Sequence, residues 1–132
     1  MNSEKPIGIA MVICDQIIED KSSGKRSLFG LFQTVLCTDF PALLEKLCVF
    51  VSLTQLNGKV PLILRCRNES FGEPLIAVPG EAVSTNPNDV LELGFEFDRF
   101  SFPRPGLYTF ELLWHEELIL QSRFNVLSAN NT

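Results

Sequence analysis

From residue 91 to 98 the chain alternates without a lapse. Leu91, Leu93, Phe95 and Phe97 are apolar, and Glu92, Gly94, Glu96 and Asp98 are not. Period two marks a half-buried strand, because successive side chains point to opposite faces. After a break at Phe102-Pro103-Arg104-Pro105-Gly106, the pattern returns at Tyr108, Phe110, Leu112 and Trp114. A tight turn around Glu116-Glu117 then leads to a strand with Leu118, Leu120, Phe124 and Val126 on one face. These two strands are expected to pair as an antiparallel hairpin. Residues 47–56 and 60–67 read as another hairpin around Asn57-Gly58, a dipeptide that tolerates the positive φ such turns need. Residues 75–84 form a weaker strand, and Pro79-Gly80 suits it to a sheet edge.

The first third of the chain behaves differently. Residues 7–18 and 28–37 are apolar on both faces: Ile9, Met11 and Ile13 oppose Ala10, Val12 and Cys14, and Phe29 and Leu31 oppose Leu28 and Phe32. A strand apolar on both sides must be covered on both sides. Residues 41–47 carry the one 3.6-like spacing and predict a short helical turn over one face, with Asp39 as its cap. A second subunit is the other available cover. The sum is an all-β antiparallel sandwich of about seven to nine strands.

Composition fits one domain over residues 1–132, long enough to bury a core without staples. Eleven Phe against one Trp and one Tyr point to an aromatic core, an oligomer interface, or both. A net charge of −5 and no basic stripe argue against nucleic acid. No apolar run is long enough to span a membrane, and 7–14 fails as a signal peptide because Asp15 ends it with no small-residue cleavage site. The expected location is the cytoplasm. Cys14, Cys37, Cys48 and Cys66 lack C-x-x-C spacing and read as buried thiols, with a Cys14–Cys66 inter-sheet bridge as the alternative.

Three stretches together resemble a known family. They are Cys14-Asp15-Gln16-Ile17-Ile18 followed by Gly24-Lys25-Arg26-Ser27-Leu28-Phe29-Gly30-Leu31-Phe32; Phe40-Pro41 with a strand ending in Leu53-Thr54; and Phe102-Pro103 with Pro105-Gly106-Leu107-Tyr108-Thr109-Phe110-Glu111-Leu112. The chain resembles a family of short, uncharacterised bacterial proteins over nearly its whole length. The resemblance implies an immunoglobulin-like β-sandwich of unknown function and brings no catalytic residue. In many sandwich domains the Tyr of such a Pro-Gly-x-Tyr segment is a corner residue whose hydroxyl bonds nearby backbone.

Candidate chemistry is sparse. His115 is the only histidine and reads as a turn residue. Glu92, Glu96 and Asp98 diverge along a flat strand rather than converging on calcium, and Arg65 and Arg67 are expected across from them. Residues 22–27 lack the spacing of a phosphate loop, but Lys21, Lys25 and Arg26 make this turn the candidate contact loop. Asp15, set in an apolar strand, is a candidate buried acid; the plainer reading has it capping the turn or pairing with Lys25 or Arg26. Phe29, Leu31 and Phe32 are the candidate interface. The expected function is a non-enzymatic binding or structural module, homo-oligomeric or joined to another protein, without cofactor or metal. The alternative is a small-molecule binder or enzyme with an inter-sheet pocket near Asp15, Cys14 and Tyr108.

Overall fold

The computed structural model describes residues 4–129. Among them the chain forms nine strands and no helix. One sheet holds β1 (Ile7–Glu19), β2 (Arg26–Leu31), β4 (Ala42–Thr54) and β7 (Val90–Phe102), in the order β2-β1-β4-β7. The other holds β3 (Thr34–Cys37), β5 (Gly58–Asn68), β6 (Pro74–Ser84), β8 (Gly106–Trp114) and β9 (Glu117–Ser128), in the order β3-β9-β8-β5-β6. Neighbours are antiparallel except β3, which runs parallel to β9. The two sheets pack into a β-sandwich.

Alternation builds the core. Val49, Val51 and Leu53 of β4 face Leu62, Leu64 and Cys66 of β5 across the sandwich, all almost or fully inaccessible. The Phe surplus is largely consumed here. Phe102 lies 5.1 Å from the Tyr108 ring and 5.7 Å from Phe124, and Phe110 stacks on Phe124 at 5.6 Å. The Tyr108 ring is fully buried, and its hydroxyl donates to the Arg104 carbonyl at 2.6 Å.

Several expected connections differ. Residues 47–56 and 60–67 are not a hairpin, because β4 and β5 belong to opposite sheets. Gln55, at φ 65, turns the chain across, and Leu56 is buried between the layers. Residues 28–37 are two strands in different sheets. Gly30 adopts a φ of 71 inside β2, the strand ends at Leu31, and Phe32 turns inward to meet Phe124 edge-on at 6.4 Å. The expected helical turn at 41–47 is the start of β4. Ala42 pairs with Phe102 and Leu44 with Phe100, whereas Leu47 pairs with Phe97. Between them Arg99, at φ 58, shifts the inward parity of both strands. A kinked strand therefore mimics a helical spacing. The β8–β9 turn is centred on His115 and Glu116, both at positive φ, one residue before the expected place.

The doubly apolar first strand is covered by its own chain. β1 pairs with β4 up to Cys14, then leaves it and continues with β2 as a hairpin lying over the outer face of β4 and β7. Ile17 reaches Gly94, where a Cβ would sit 3.2 Å from the Ile17 Cδ1. Arg26 Nη1 bonds Glu92 Oε1 at 2.8 Å and pairs with Glu19. This arm forms a local third layer, so neither a helical turn nor a second subunit is needed there.

Candidate functional site

An open apolar surface begins where the arm ends. β2 is the outer strand of its sheet and carries no charge or proline from Ser27 to Leu31. Phe29 is 50% exposed and Leu31 65%. Beside them a shallow groove of about 610 Å³ opens between the sheets, lined by Met11, Ile13, Leu31, Phe32, Thr34 and Ser122. Of the three candidate interface residues, the structure leaves Phe29 and Leu31 outside. Phe32 belongs to the core and contributes only to the groove wall.

The contact loop is a capped turn. The Asp20 carboxylate accepts from the Ser22 hydroxyl, the Ser23 amide and the Ser23 hydroxyl at 2.9, 2.9 and 2.6 Å. These bonds, led by the Ser23 hydroxyl, hold its carboxyl below the usual range. Lys21 and Lys25 are exposed, whereas Arg26 is drawn onto Glu92 and Glu19. Asp15 is not a buried acid. Its side chain is exposed and lies over Gly30, so that a Cβ there would collide with the carboxylate. The cap is Asp20, and Arg26 is taken by glutamates, so Asp15 has neither of the plainer roles either.

Asp15, Cys14 and Tyr108 share no pocket. Cys14 is buried on the outer side of its sheet beneath the arm, and Tyr108 lies within the core. Cys66 faces the core from the other sheet, which rules out its bridge to Cys14. Burial pushes the Cys66 thiol up to about 12, and it also raises Cys14, Cys37 and Cys48. Cys14 stands opposite Cys48, whose Sγ donates to the Asp15 carbonyl at 3.6 Å.

A charged ladder on the outer face of β5, β8 and β9 escaped the sequence reading. Register lines up Arg65, Glu111 and Gln121 in one row across the three strands, and Arg67, Thr109 and Arg123 in the next. Glu111 is 5% exposed, and its carboxylate receives Arg65 Nε at 2.7 Å and Arg67 Nε and Nη2 at 3.3 Å. Burial works to raise its pKa, but the two guanidiniums prevail and hold it low. Glu69 accepts from the Thr109 hydroxyl, which lowers its pKa, and pairs with Arg67 and Arg123. These acids are saturated, which suits them to holding strands rather than moving protons. Arg65 and Arg67 thus face Glu111, not the acidic stripe of β7. Glu92 meets Arg26 and Glu96 meets Lys46. The signal available in the sequence was two arginines two residues apart on one strand face, with Glu111 on a strand that had to be known as their neighbour.

His115 lies in the β8–β9 turn, edge-on to Trp114 at 4.6 Å. Among the described residues no group of three or more His, Cys, Asp or Glu side chains could hold a metal ion. No helix among them is long and apolar enough to cross a membrane. No curated protein matches the chain. One family model does, over residues 9–127, and it covers the arm, both sheets and the charged ladder. The chain therefore belongs to the family of unknown function DUF6941.

Proposed function

We propose that this protein is a non-enzymatic association module that joins a second copy of itself along β2. The observation that carries the reading is the contrast among the four edge strands. β6 bears Pro74, Pro79 and Glu81, β7 bears alternating acids, and β3 has four residues. Prolines, charges and short length are the means by which edges are kept from pairing. β2 lacks them from Ser27 to Leu31 and exposes Phe29 and Leu31 beside an open groove. Strand addition satisfies its free backbone groups and covers both side chains.

The negative net charge fits a protein partner better than a nucleic acid. The four unbridged cysteines fit a reducing, bacterial cytoplasmic setting. An immunoglobulin-like topology is the finer reading of the fold. It is supported by β1-β4-β7 packing on β9-β8-β5-β6, by β3 alongside β9, and by the Tyr108 corner bond. The enzyme alternative finds no support in geometry, since Tyr108 lies in the core, Cys14 is buried outside it and Asp15 is exposed.

Light scattering across a concentration series tests association. The native chain is expected to show a concentration-dependent dimer, and Leu31→Lys a monomer with an unchanged circular dichroism spectrum. A native chain that stays monomeric at every concentration overturns the reading.

A further inference from the structure

Cys14 and Cys48 are register partners on adjacent antiparallel strands. Ile13 and Val49, their neighbours, face the core, so both thiols lie on the outer side of the sheet. Directly opposed residues of such a pair have Cα atoms about 4.5–5.5 Å apart. A disulfide spans Cα separations of about 4.4–6.8 Å. Both thiols lie against the root of the arm, because Cys14 Sγ donates to the Gln16 carbonyl and Cys48 Sγ to the neighbouring Asp15 carbonyl, each at 3.6 Å. Both cysteines are 0% exposed, and both thiols bond carbonyls of the segment that leads into the arm.

We propose that Cys14 and Cys48 are a reversible dithiol site for small-molecule disulfides, opened and closed by the β1–β2 arm. With the arm down, Ile17 lies on Gly94, Arg26 holds Glu92, and no reagent reaches either sulfur. With the arm raised, one cysteine loses its proton and attacks a sulfur of the reagent, releasing one thiol and leaving a mixed disulfide. The second cysteine then attacks the protein-bound sulfur and releases the other thiol. Two protein S–H groups and one disulfide become one protein S–S bond and two small thiols, which carry away both protons. The bridge removes both S–H donors from the Asp15 and Gln16 carbonyls, so the arm loses two of its tethers.

The test is oxidation of the native chain by oxidised glutathione under mildly alkaline, non-denaturing conditions, followed by non-reducing digestion and mass spectrometry. A 14–48 cross-linked peptide, abolished in Cys14→Ser and reversed by excess reduced glutathione, is the expected result. Arg26→Ala unpins the arm and is expected to speed cross-linking by up to about fivefold, the ceiling for a partly exposed ion pair. Four free thiols persisting at equilibrium overturn the proposal. So does linkage of any other pair, a glutathione adduct on Cys37 alone, or cross-linking that requires urea. Equal rates in Arg26→Ala and the native chain overturn control by the arm.

Discussion

Glu111 keeps its charge although almost none of it reaches water, because Arg65 and Arg67 approach it from the neighbouring strand. Glu111→Gln leaves two guanidiniums without their acceptor and is expected to cost about 1–3 kcal/mol in urea unfolding at neutral pH. The pH dependence has a definite sign. The folded pKa lies below the unfolded one, so this stabilisation is fully present above the ordinary Glu value of about 4.3 and fades as pH falls through the depressed value. The gap between native and Glu111→Gln midpoints is expected to narrow on acidification from neutrality. A gap that widens would contradict the assignment. Glu69, lowered chiefly by the Thr109 hydroxyl, loses stabilisation in the same direction.

At the scale of elements, the arm is held by a few contacts over an otherwise ordinary sheet face. Gly94 lies beneath Ile17 of the arm. An alanine Cβ there meets only the end of the Ile17 side chain, which can yield, and glycine is a poor strand residue. Gly94→Ala is expected to be neutral or mildly stabilising. Gly94→Val adds two methyls that Ile17 cannot clear, and hydrogen exchange is expected to quicken at residues 15–19 and 26–29 while β4 stays protected. Equal exchange in the two variants would show that the arm does not rest on β7.

Much of this element structure was legible in the sequence. β7, β8 and β9 announce themselves because period two survives wherever one face is buried. It fails where a backbone turn flips parity. Arg99 makes 42–47 read as helical, and a break of only two residues, Phe32 and Gln33, hides the division of 28–37 into two strands. Alternation also names a face but never a neighbour. Asn57-Gly58 therefore suggested a hairpin where the chain changes sheets, and the partner of Arg65 and Arg67 was sought on β7 instead of β8. Phe29 and Leu31 were visible as apolar residues with nothing evident to cover them. Phe32, next in line, was not separable from them until the sheet switch was known.

For the whole molecule, the aromatic cluster is the joint between the sheets. Phe102 from one sheet touches Tyr108 and Phe124 from the other, and Phe100 lies 5.0 Å away within its own strand. Phe102→Ala is expected to cost about 3–5 kcal/mol, the range for deleting a buried ring. Calorimetry should show one broadly cooperative transition at lower temperature. A loss below about 1 kcal/mol would mean that the cluster does not join the layers.

The parallel pairing of β3 with β9 bears on how the chain is made. Thr34 meets Asn125 and Cys37 meets Ser128. As the ribosome releases the polypeptide, β3 emerges early and has no partner until β9 follows it out. Local contacts cannot rescue it, since its one strand neighbour among the described residues is distant in sequence. That edge of the sheet therefore closes after translation of β9, and closure over so long a loop places the domain among slow folders. Until then Leu36 and the unfilled groove stand open to other nascent chains, so the interval before β9 pairs with β3 is when this protein most needs a chaperone.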